Sequence, residues 1–181
     1  TLETLGILKK DGKIRAYGVS NETPWGVMQY LSFGEKNGWE KIASIQNPYN
    51  LLNRTFESGL AEISYRESIG LLAYSPLAFG MLTGKYLDGR KPALARLTLY
   101  SRFQRYQNKN AVKATKEYVR LALEHALDPS QMALAFARTR PFMASVLLGA
   151  TSVNQLETNL TSVDLKLSEE VLQGIEEIHR R

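Results

Sequence analysis

The sequence predicts an α/β chain of four parallel β/α units, half of a (β/α)8 TIM barrel. Three observations carry this. After an opening helix, strand-like apolar segments alternate with amphipathic helical ones four times, a pattern that calls for parallel strands joined by right-handed crossovers. The 181 residues fall well short of the roughly 250 that a closed barrel needs. A doubly wound dinucleotide fold requires Gly-x-Gly-x-x-Gly after its first strand, and "GVSNETPWG" stands there instead.

The elements follow in order. Leu2, Leu5 and Leu8 form one helical stripe that ends in lysines before Asp11-Gly12, so a short helix and a turn open the chain. A strand over residues 13–20 follows. Thr23 is placed to cap, and Pro24 to start, a helix reaching about Lys36. The second strand is expected over residues 42–47 and the next helix over 55–68, with Phe56, Leu60 and Ile63 on one face. "GLLAYS", residues 70–75, is an unbroken apolar strand, as expected for one covered on both sides. A polar, basic connection then runs to about Asn108. Helices are expected over 111–127 and, capped by Asp128-Pro129, through Arg138. The fourth strand reads as residues 145–150. Ser152 and Gln155 have capping-box spacing, and Ser168 opens a final helix carrying Val171, Leu172, Ile175 and Ile178. Nothing divides the chain, so residues 1–181 read as one unit.

Composition removes several function classes. With no cysteine, disulfides, thiolate catalysis and cysteine-based zinc sites are out, and a cytoplasmic location is the expectation. No apolar run nears the roughly 20 residues of a membrane span. The net charge of +5 is densest around Arg96, Arg102, Arg105 and Lys109. Without a nucleic-acid motif beside it, this patch reads as solvated surface or as a holder of one anionic small ligand, not as a nucleic-acid face.

Two loops favour anions. "AYSPLAFGMLTGKY", residues 73–86, is not a Walker loop: three residues separate Gly80 from Gly84, and Tyr86 follows Lys85. Its Ser75, Gly80, Thr83, Gly84 and Lys85 still offer donors and a positive charge. The residues after Gly149 open a helix whose free N–H groups favour negative charge. In barrels, phosphate sites follow strands seven and eight. Numbering the third and fourth strands that way makes this the C-terminal half. Ser20, Asn21, Gln46 and Tyr74 then sit at strand ends facing the active mouth, three hydrogen-bonding groups for a flat amide-bearing ring and one aromatic to stack on it.

"GKIRAYGVSN", "IQNPYNLLNR", "AYSPLAFGMLTGKY" and "LLGATSVNQLETN", in this order and spacing, resemble the C-terminal half of an aldo-keto reductase, most of all the bacterial Tas-type subgroup. The resemblance covers essentially the whole chain. It implies an NADP(H)-dependent reductase of a small-molecule carbonyl substrate, an aldehyde or ketone. Ser20, Asn21 and Gln46 would hold the nicotinamide carboxamide, and Tyr74 would stack on the ring. Ser75, Pro76, Leu77, Ala78, Phe79, Gly80, Leu82, Thr83, Gly84 and Lys85 would wrap the pyrophosphate. Gly149, Thr151, Gln155 and Asn159 would bind the adenosine end with its 2′-phosphate, aided by Arg102. Thr158 departs from the glutamate that many relatives place against adenine.

The family delivers its proton with a tyrosine tuned by lysine, beside an aspartate and a histidine, all in the first half of the barrel. No residue here is assigned to that tetrad. His125 and His179 read as surface or packing residues, and two histidines without cysteine make no metal site. Closure requires about 150 further residues, expected ahead of Thr1. The two open edges are expected to be covered by that missing half or by a second copy. By itself the chain should turn nothing over. A non-catalytic nucleotide-binding or assembly module is the alternative.

Overall fold

The computed structural model describes residues 1–180. Four strands, β1 (Val19–Ser20), β2 (Ser44–Pro48), β3 (Gly70–Tyr74) and β4 (Met143–Val146), form one parallel sheet in the order β1-β2-β3-β4. Sequential order in a parallel sheet is the signature of barrel winding, and with its flanking helices this sheet is half of such a barrel. Helices α1 (Leu2–Lys10), α2 (Pro24–Asn37), α3 (Leu60–Glu67), the short α4 (Arg96–Leu99), α5 (Lys109–Glu124), α6 (Pro129–Arg138), α7 (Val153–Leu160) and α8 (Glu169–His179) complete it. None is long and apolar enough to cross a membrane, among the described residues.

The helix starts follow local chemistry. Thr23, Asn108, Asp128, Ser152 and Ser168 each accept a backbone N–H of the first turn through a side-chain oxygen, satisfying donors that the helix leaves free. The helix expected over 55–68 is broken. Gly59, at φ 90°, separates a 3₁₀ turn (Thr55–Glu57) from α3, and Phe56 packs from the turn. The fourth strand lies earlier than residues 145–150. Pairing runs from the Leu71 N–H to the Phe142 carbonyl and ends with the Leu147 N–H on the Ala73 carbonyl. An irregularity opposite Leu71 and Leu72 takes up the extra residue. The first strand is shorter than residues 13–20: Val19 and Ser20 pair with Ile45 and Gln46, flanked by the Ala43 N–H on the Tyr17 carbonyl and the Asn21 N–H on the Gln46 carbonyl.

The core fills the helix side of the sheet. Ile45, Leu71 and Ala73 are fully buried there with Tyr49, Phe56, Phe136 and Ile175. Tyr49 lies parallel to Phe136 at 6.4 Å and edge-on to Phe142 at 5.3 Å, geometries that aromatic rings favour. Beside them the buried Arg54 holds Glu57 through two 2.8 Å hydrogen bonds. Its Nη1 lies 2.9 Å from Glu176 of α8, an ion-pair contact rather than an aligned hydrogen bond.

The opposite face corrects the expectation of a strand covered on both sides. Gly70, Leu72 and Tyr74 alternate with the buried residues and are only half-buried. In a closed barrel this face is filled by the other strands. Next to the open edge of β4, Val153, Leu156, Leu160 and Val163 lie 41–72% exposed at helical spacing along α7 and the turn after it. That apolar stripe stands where a neighbouring element would pack.

Candidate functional site

At the C-terminal ends of β1, β2 and β3, four predicted residues are tied together. Ser20 Oγ and the Asn21 N–H both donate to the Gln46 carbonyl at 3.0 Å. Asn21 Nδ2 donates to Ser20 Oγ at 3.3 Å, and the Tyr74 hydroxyl donates to Asn21 Oδ1 at 2.6 Å. Asn21 holds φ at 56°, a conformation that asparagine tolerates better than most residues. The alternation of β2 turns Asn47 to the other side, where it is buried and bonded to the Glu22 backbone in both directions. The Gln46 amide has no protein partner among the described residues and stays half-buried.

The loop after β3 is strained throughout. Ser75, Ala78, Phe79, Gly80 and Gly84 all have positive φ, which costs non-glycine residues roughly 1–2 kcal/mol each. Such clusters mark functional sites when the surroundings enforce them. Here the enforcement is visible: fully buried Asn50 donates to the Ser75 carbonyl at 2.9 Å, and Phe79 packs on Phe103 and Tyr106 at 4.9 and 5.1 Å. Thr83 Oγ1 donates to the Gly80 carbonyl and accepts from the Lys85 N–H. A Cβ on Gly80 would lie 2.9 Å from Lys85 Cε, so glycine lets the lysine lie across the loop.

Opposite this loop, Ser152 Oγ caps α7, while Gln155 Oε1 accepts from both the N–H and hydroxyl of Thr151 at 3.1 Å. The glutamine therefore braces Thr151 instead of returning to the Ser152 N–H, as a reciprocal capping box would.

Between the two loops lies a cleft of about 770 Å³, within the range of ligand sites. From Tyr74 to Gly80 every predicted residue except Ala78 lines it, with Thr83 and Lys85 on the same side and Gly149, Thr151, Gln155 and Asn159 across from them. Ala78 and Leu82 are buried beneath the loop, and Gly84 is buried against Val119. Ser20, Asn21 and Gln46 lie beyond the cleft lining, joined to it through Tyr74. Arg102 does not line the cleft; its guanidinium lies over Tyr100 and Phe103 at 5.9 and 5.1 Å.

The arginine that does line the cleft is Arg96. It begins the four-residue α4 and belongs to the basic patch that the sequence offers as a holder of one anionic ligand. Thr158 is there too. The cleft lining contains no aspartate, glutamate or histidine, and Lys85 and Arg96 are its charged groups. Burial, and then the Arg96 guanidinium, hold the Lys85 pKa below the ordinary lysine value. Two cations line one cleft without a carboxylate in its lining, Lys85 against Gly80 and Arg96 reaching to 4.0 Å from where a Cβ on Gly149 would stand. Such a place stabilises an anion.

Residues 1–180 match the model of the aldo/keto reductase family. The chain belongs to that family. It is 57% identical over 180 residues to "Protein tas" of Escherichia coli, covering 99% of this chain and 52% of that protein. An aldo-keto reductase of Babesia bovis is 39% identical over 165 residues, 88% of this chain and 58% of its own. The NADH-specific methylglyoxal reductase of E. coli is 30% identical over 169 residues, 93% and 50%. The chain spans about half the length of these curated relatives. In this aldo/keto reductase chain the cleft opens at the C-terminal ends of β3 and β4, the end at which barrel enzymes place their sites.

Proposed function

We propose that the chain is the NADP(H)-binding half of an aldo-keto reductase that reduces an aldehyde or ketone. The pairing of Lys85 with Arg96 in an acid-free cleft, joined through Tyr74 to the Ser20–Asn21–Gln46 cluster, is the observation that carries this reading. One end suits phosphates and the other suits a carboxamide. The residues present therefore fit the dinucleotide. Lys85, Arg96 and the Ser75–Lys85 loop would hold its pyrophosphate, and Thr151, Gln155 and Asn159 the adenosine end with its 2′-phosphate. Ser20, Asn21 and Gln46 would hold the carboxamide beside Tyr74. When bound, NADPH supplies the hydride for a carbonyl carbon.

The chain's own groups bind and orient. The developing alkoxide also needs a proton donor; the lining holds no acidic or histidine side chain, and its one tyrosine, Tyr74, has its hydroxyl proton on Asn21 Oδ1. That donor belongs, in this reading, to the complementary half of the barrel, provided by preceding sequence or by a second copy. The open β4 edge and the apolar stripe on α7 support a partner of that kind. The engagement of the one tyrosine hydroxyl of the lining with Asn21 favours a second reading, a non-catalytic nucleotide-binding module.

Fluorescence titration with NADPH and calorimetry with 2′,5′-ADP test the proposal. Both ligands should bind, and carbonyl reduction by the 181-residue polypeptide should be flat until the complementary half is supplied. Absence of binding by both ligands refutes nucleotide recognition. Turnover by the polypeptide alone refutes the division of labour. Binding with no turnover in the completed barrel selects the second reading.

A further inference from the structure

We infer that the Tyr74 hydroxyl is a positioning group that sets which edge of the Asn21 amide meets the ligand. The bonds at the strand ends run in one sense: Tyr74 O–H to Asn21 Oδ1, Asn21 Nδ2–H to Ser20 Oγ, Ser20 O–H to the Gln46 carbonyl. An amide rotated by half a turn would set its nitrogen against the tyrosine and its oxygen against Ser20 Oγ, whose proton is already committed to Gln46. The 2.6 Å bond across three strands blocks that rotation and leaves the second Nδ2–H free to donate.

Next to this clamped donor, the Gln46 amide is without a partner among the described residues. A fixed donor beside a free amide suits a ligand group with both a carbonyl oxygen and an N–H₂. This rests on the proposed dinucleotide reading and adds a role for Tyr74 beyond ring stacking.

Tyr74→Phe keeps the ring and removes only the hydroxyl. In the purified protein it should weaken NADPH binding about fivefold, as expected for one hydrogen bond. Binding of 2′,5′-ADP, which lacks the nicotinamide, should be unchanged and so reports an intact fold. In an Asn21→Ala background, Tyr74→Phe should cause no further loss. Equal weakening of both probes, unchanged NADPH binding, or additive losses in the double variant would each overturn the positioning role. Wild-type protein that binds 2′,5′-ADP but not NADPH also overturns it, while failure to bind either probe brings down the proposed function and this inference with it.

Discussion

Lys85 and Arg96 line the same cleft, and burial together with the arginine's charge pushes the lysine's pKa down. A bound anion reverses that pressure, because it favours the charged lysine. Binding should therefore be strong below the folded pKa of Lys85 and weaken as pH rises through it, at a pH under the ordinary 10.5. Titrating 2′,5′-ADP across alkaline pH checks this. Lys85→Met should lose about tenfold or more in affinity and flatten the alkaline decline; an unchanged profile would remove the lysine from the site.

Gly80 is a second point of leverage. At φ 91°, with Lys85 Cε 2.9 Å from where a Cβ would stand, it tolerates no side chain without movement. Gly80→Ala should cost about 1–2 kcal/mol of stability and displace the lysine. Thermal melting and 2′,5′-ADP affinity should fall together. A lowered melting temperature with intact affinity would show that the loop's strain has no bearing on the cleft.

Acid sensitivity should come from the Arg54 network. Burial pushes the Glu57 carboxyl up, but hydrogen bonds from Arg54 and Tyr49 outweigh it and hold the pKa below 4.5. The contribution is thus complete above 4.5 and lost as pH falls through the lower, folded value. His179, exposed near the chain's end, adds an earlier and smaller loss: partial desolvation first, then Arg54, hold it below 6.5, so the folded state binds its proton less readily than the unfolded chain and stability declines as pH drops under that value. Glu57→Gln should cost about 3 kcal/mol at neutral pH in urea unfolding and erase the more acidic step. His179→Gln should erase the earlier one.

The α7 stripe makes a separable prediction. Leu156 and Leu160 are 41% and 50% exposed, so changing both to Ser should leave the melting temperature of the polypeptide nearly unchanged. If the proposed complementary half packs on this stripe, the same change should abolish assembly with it in sedimentation velocity. Assembly at wild-type strength would place the partner elsewhere.

Much of this was legible in one dimension. Helix starts were readable at Thr23, Asp128, Ser152 and Ser168, because a cap is a contact between residues two or three apart. The ordered motifs likewise located the two loops that border the cleft. The early start of β4 and the one-sided burial of β3 were not readable, since each depends on a partner distant in sequence, whereas the break at Gly59 had its local signal in the glycine itself. Arg96 and Arg102 look equivalent along the chain, yet only one lines the cleft. By itself the sequence determined which groups gather at the strand ends, because periodicity and motif spacing are local. Only the tertiary structure decided which cation meets Lys85 and which proton fixes Asn21, because those choices arise where separate strands and loops converge.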